Sequence, residues 1–415
     1  MKRILSAAVI PLFATLDACS GGSGGSANPT KTAVAVDSGV QTGDDGSSSA
    51  SSGDDGTNNT GDDGNTAVEY DAPLSGAQVV PPVSTASTGL AKFFLQEDGV
   101  TLTYTIDLSM VPNPTAVSIH VGAAGDVTPV AHSLTPVSAM MTGQVVLTAD
   151  EAAALTPDQL YVDVQTMAHP GGEVRGQIAL PMATVLVAHP TGAQEVPPVM
   201  SAYAAGSHAA FVLSPDQTTV NYHVVTSATP TNILVEQGIA GLNGAILVGL
   251  NLSSPTAPGT YDGVLQITDA APYLNGEIYV NVETAANQTG ELRGQVIDPG
   301  ETLFSATLSG KNEVPPNGSN ATGAVEVILD PTQTTIRYEA VVSGAVPQSI
   351  AIFTGMATTP SGTPWYQLTL GASGAVGTQM LATGDAAQFT SGNVFANVFT
   401  PSFSTGELRG QLAQQ

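Results

Sequence analysis

The chain has 415 residues, a length that allows two to four domains, and 9 Lys plus Arg stand against 35 Asp plus Glu for a formal charge of -26. That balance excludes nucleic acid as a partner and leaves no positive patch for anionic head groups, since both require one. A single cysteine excludes an internal disulfide framework, and Gly 45 with Pro 28 in a Thr- and Val-rich background favours short strands and many turns.

In chain order, the first feature is a secretory signal. Lys2 and Arg3 precede an apolar run from Ile4 to Leu16, and Cys19 sits among small residues. The run is too short to read as a stable membrane span. Leu16-Asp17-Ala18-Cys19 resembles a bacterial lipobox, although Asp17 replaces the small or apolar residue usual there. The resemblance implies a signal peptide over 1–18, lipid attachment at Cys19, and a membrane partner reached through that lipid. Ser20 in the next position implies an outer membrane lipoprotein, periplasmic or surface-exposed.

From 19 to 71 the chain reads as a disordered acidic linker. Gly, Ser, Thr, Asn and Asp dominate, and Gly-Asp-Asp-Gly occurs at 43–46, 53–56 and 61–64. Those phrases lack the alternating ligands and the terminal glutamate of a calcium loop. A flexible tether of this composition has an end-to-end distance on the order of 40 Å.

Beyond it, two phrases recur three times. Leu74–Val83, Pro190–Val199 and Leu308–Asn317 each end in a Pro-Pro phrase. Glu173–Gln177 (EVRGQ), Glu291–Gln295 and Glu407–Gln411 (both ELRGQ) close each copy, at intervals of 118 and 116 residues. The spacing predicts three homologous units, 72–181, 185–298 and 302–413. Within each, alternating segments such as Thr322–Asp330 and Thr334–Val342 form hairpins. Seven or eight short strands per unit predict an all-β fold: tandem antiparallel Greek-key β-sandwich or flattened-barrel domains. One turn of helix is expected near Thr148, where Glu151 completes a capping box.

The Pro-Pro opening, Ile119–Gly125 and the closing run from Leu160 to Ile178 strongly resemble the CHRD domain, first described in chordin and found also in bacterial secreted proteins. The resemblance covers Leu74–Leu412 and implies a β fold and an extracytoplasmic compartment more than an activity. The family's closing Tyr-Val-Asn-Val-His-Thr is matched at Tyr161, Asp163 and Thr166, at Tyr279, Asn281 and Thr284, and at Phe395, Asn397 and Thr400. Its histidine before the threonine is replaced by Gln165, Glu283 and Phe399. Its His-x-His-x-Gly strand survives only as Ser118, His120 and Gly122.

Chemistry has few footholds. His120, His132 and His169 all fall in the first unit, and His120 and His169 are weak candidates for a metal site; zinc or copper needs three or four converging ligands. Nucleophile elbows, Walker loops and HExxH are missing. In the closing phrase, alternation puts Glu173, Arg175 and Gln177 on one face, as it does Glu291, Arg293 and Gln295, and Glu407, Arg409 and Gln411. In a chain so poor in basic residues, an arginine repeated at this place is read as a structural brace. Asp163, Asn281 and Asn397 are the candidate acceptors or turn-fixing partners, and Tyr161, Tyr279 and Phe395 are expected to pack. The expectation is a non-enzymatic, cofactor-free binding, adhesion or surface-architecture protein with a protein or glycan partner. The alternatives are a metal-dependent periplasmic enzyme, superoxide-dismutase-like or a hydrolase, using the histidines of the first unit, and an inert spacer.

Overall fold

A computed structural model of the chain describes residues 67–415 except 136, 251–256 and 372–373. The signal segment, Cys19 and the Gly-Asp-Asp-Gly phrases lie outside the described residues. Among the described residues no helix is long and apolar enough to cross a membrane.

The first unit has eight strands: β1 (Val68–Ser75), β2 (Thr88–Leu95), β3 (Thr101–Asp107), β4 (Pro114–Val121), β5 (Val130–Ser133), β6 (Met140–Val146), β7 (Leu160–Thr166) and β8 (Val174–Gln177). All pair antiparallel, in the order β5-β4-β7-β8-β1-β2-β3-β6. The first strand begins at Val68, inside the stretch read as linker from 19 to 71. Its alternation explains the difference: Tyr70, Ala72 and Leu74 turn inward and are buried.

Each half of this order is a four-stranded sheet, and the halves meet where Ser75 of β1 pairs with Arg175 of β8. Thr191 with Arg293 and Ser309 with Arg409 repeat that pairing in the other units. Phe93, Leu102 and Ile106 from one half and Ile119, Val162 and Val164 from the other share one core. Each fully buried side chain of this kind contributes about 1.5–3 kcal/mol. The turn between β2 and β3 is fixed locally, since Asp98 accepts the amides of Val100 and Thr101 and Gly99 takes φ +70.

The second and third units repeat the plan with cores of their own. Each unit also holds one helical turn. Ala149–Ala153 starts at Thr148 with the full capping box to Glu151, whereas Ala271–Asn275 and Ala386–Thr390 form without one. Burial of Tyr273 and Phe389 holds these two in place instead. The fold is all-β, with three tandem antiparallel domains.

Successive units touch through the loop that follows the fourth strand of the preceding unit. Ala123 and Ala124 pack on Val187 and Ala210, and Ala240 packs with Ile297 on Leu303 and Ile328.

Candidate functional site at the closing strand

The strand that carries the repeated phrase is buried on both faces. Val174 and Ile178 enter the shared core, while Glu173, Arg175 and Gln177 are buried on the opposite side. The glycine between them answers to space. A methyl group on Gly176 would lie 2.7 Å from the Pro73 carbonyl oxygen of the crossing first strand.

The arginine side chains repeat one geometry. The Arg175 guanidinium carbon lies 3.4 Å above the Tyr161 ring, that of Arg293 3.5 Å above Tyr279, and that of Arg409 3.4 Å above Phe395. From there each planar fork donates to two carbonyls of the loop after the fourth strand. Arg175 reaches Ala123 and Asp126, Arg293 reaches Ile239 and Leu242, and Arg409 reaches Met356 and Thr359. Burial pushes all three arginines below the usual guanidinium range. The ring face and the paired carbonyls offset part of that cost.

Glutamine continues the same task. Gln177 Nε2 donates to the carbonyls of Gly122, Asp158 and Leu160, Gln295 to Gly238 and Gly276, and Gln411 to Gly355, Gly392 and Val394. Each therefore ties the docking loop to the segment before the seventh strand.

The glutamate two residues before each arginine does not pair with it. Glu173 accepts hydroxyls from Thr85, Ser87 and Thr166, and Glu407 accepts from Ser319 and Thr400. Glu291 accepts from Thr284 and Asn287. Burial alone would raise the Glu173 carboxyl, but the three hydroxyls outweigh it and hold the group below its ordinary value.

Asp163 lies opposite Arg175 in the strand register, as Asn281 lies opposite Arg293 and Asn397 opposite Arg409. None of the three receives the guanidinium fork, which goes to loop carbonyls. The acids near each arginine change place instead: Asp163 and Asp126 act on Arg175, Glu195 leads at Arg293 with Glu326 and Glu236, and Glu313, bonded by Asn397, acts on Arg409. Around Gly172, Asp163 Oδ1 and Val79 Cγ1 approach the Cβ position to 2.6 and 3.1 Å; around Gly406, Glu313 Oε1 and Asn397 Nδ2 approach to 2.8 and 2.9 Å. Burial pushes Glu195 up to about 7, with Arg293 pulling the other way. Sequence reading missed Glu195 and Glu313, although Val79, Glu195 and Glu313 occupy matching places in the three Pro-Pro phrases.

The histidines of the first unit have separate partners. His120 Nδ1 lies 2.8 Å from the Thr128 carbonyl, and its ring stacks on Tyr161 at 4.6 Å. His132 meets Glu151 at 3.1 Å and His169 meets Glu173 at 3.6 Å. His120 and His169 thus have separate partners, and neither belongs to a group of three ligand-type side chains among the described residues. The position of His120 belongs to the arginine stack: its counterpart Glu236 accepts the Tyr279 hydroxyl, and Phe353 stacks on Phe395. The described residues with metal-ligand spacing are Asp126, His208 and His223, where the first unit meets the second.

The family model for the CHRD domain matches residues 70–178, 186–296 and 304–412. No curated protein and no solved structure matches the chain.

Proposed function

Because the chain belongs to the CHRD domain family, with three tandem copies, we propose that it is a non-enzymatic envelope protein that carries its domains in series on a lipid-anchored tether. Three tandem CHRD domains suggest a binding or structural role. The finer reading is surface architecture at the bacterial outer membrane, with a protein or glycan as partner. One observation supports the architectural part of that reading: the repeated arginine directs its fork to the loop of its own domain, and in the first two domains that loop rests on the next. The motif thus supports a series of domains better than it supports chemistry.

Fractionation of cells making the full chain tests the anchor. The wild-type chain is expected in the outer membrane fraction, labelled by fatty acid, and Cys19→Ser in the soluble fraction without label. Equal partition of the two, with no label on either, would overturn the anchoring.

A further inference from the structure

The two junctions share a docking geometry but not their side chains. At the first, the loop Ala123–Asp126 lays its end across two strands of the second domain, His208–Leu213 and Thr219–Thr226. His208 and His223 project from these strands toward Asp126. His208 Nε2 lies 2.9 Å from Asp126 Oδ1, and His223 Nε2 lies 3.4 Å from Asp126 Oδ2. One nitrogen or oxygen from each of the three residues falls within 4.8 Å of the others.

His223 is buried, and its Nε2 faces Asp126 at ion-pair distance without meeting hydrogen-bond geometry. Its other nitrogen, Nδ1, lies 2.7 Å from Asp262 Oδ1, which also accepts from Gln159 Nε2 of the first domain at 2.7 Å. A carboxylate on one imidazole nitrogen, with the other nitrogen left open toward a carboxylate and a second imidazole, is the outer-shell arrangement that orients metal-binding histidines. The loop makes the approach possible. Gly125 has φ +91, and a methyl group there would lie 2.8 Å from the His208 ring. A larger residue there would both strain the backbone and press on the His208 ring.

We propose that Asp126, His208 and His223 form a site for a borderline divalent transition-metal ion, with zinc as the reference case, that fastens the first CHRD domain to the second. Two imidazole nitrogens and a carboxylate oxygen are three ligands suited to zinc at ~2.0–2.2 Å, with water in the fourth place. Asp262 is the positioning residue, acting through His223. At the second junction the places of His208 and Ala210 are taken by Ala324 and Glu326, and the place of Asp126 by Leu242, so the site is particular to the first.

The test uses the full chain, stripped with chelator, exposed to Zn2+ and desalted. One zinc per chain is expected by elemental analysis, and a His208→Asn and His223→Asn pair should retain none. Asp262→Asn, which removes no ligand, should weaken zinc binding about 10–100-fold. Calorimetry should show the three domain transitions of each variant still present. Because loss of His223 could unfold the second domain, Co2+ added to the wild-type chain gives a second reading. A visible absorption of four-coordinate cobalt, saturating at one equivalent and displaced by zinc, is expected. No retained zinc together with no such absorption, or retention unchanged in the histidine pair, would overturn the site.

Discussion

At the scale of single residues, each arginine is held by a ring face, two loop carbonyls and nearby acid: Asp163 and Asp126 at Arg175, Glu195, Glu326 and Glu236 at Arg293, and Glu313 at Arg409. The acid nearest the closing phrase moves between copies: Asp163 with Val79 in the first domain, and Glu195 or Glu313 with an asparagine at the place of Asp163 in the others. Asp163→Asn in the first domain leaves Arg175 without that charge, and Val79→Glu crowds a second buried acid against the first. Each change alone is expected to destabilise the domain by about 1–3 kcal/mol. Together they reproduce the pattern of the other two domains, and a double-mutant cycle in denaturant should return a favourable coupling of about 1 kcal/mol or more. Simple additivity would show that the acid exchange has no energetic content. The place of Arg175 on one face with Glu173 and Gln177 was legible in the sequence because alternation and the scarcity of basic residues isolate it. Its partners were not, since backbone carbonyls leave no mark on a sequence and the register that brings Val79 beside Asp163 is a tertiary fact.

At the scale of elements, the docking loop and the face that receives it matter most. Strands were legible because one buried face imposes a period of two. The helical turns at Ala271 and Ala386 were less so, because packing rather than capping holds them. The receiving faces leave a weaker mark: Val187, Ala210, Leu303 and Ile328 make their strands apolar on both faces, but the sequence does not say what covers the outer one. The second junction shows what such a position does. Glu326 is buried beneath the loop and accepts the Ala240 amide at 2.7 Å. Burial pushes its carboxyl from 4.5 up to about 8, with Glu339 adding to the rise and the Ala240 amide, Arg293 and Arg337 opposing it. The folded state therefore holds this proton more tightly than the unfolded chain. The contribution is complete below about pH 4.5 and is lost as pH rises through about 8. The melting temperature is expected to fall across that window, and Glu326→Gln should make the fall shallower. An equal slope in wild type and variant, followed by calorimetry, would remove Glu326 from the account.

At the scale of the whole chain, repeats specify a domain three times but a junction only twice. Past residue 66 there are six Lys or Arg, and three are the brace arginines. Arg337 serves the second junction, donating to Leu274 O at 2.8 Å and to Glu301 at 2.6 Å. Lys92 takes the place that Ala210 and Glu326 hold in the later domains, and bridges Glu69 at 2.6 Å and Asp71 at 3.3 Å. At the other end the loop of the third domain carries Thr358 where the others carry Gly125 and Gly241, and Met356 there is exposed. The first face is thus charged and the third loop bulkier than their counterparts at the two junctions.

If the repeated arginine fixes the loop by which one domain holds the next, loosening its fork should loosen that loop and the face beneath it. Amide hydrogen exchange on the full chain carrying Arg293→Lys tests it most directly, because a point charge cannot span two carbonyls from a ring face. Exchange at 239–242 and on the facing strand around Ala324–Ile328 is predicted to quicken at least about tenfold, while the core strands of the first domain stay protected. Unchanged protection at 239–242 in a chain with an altered brace would contradict it.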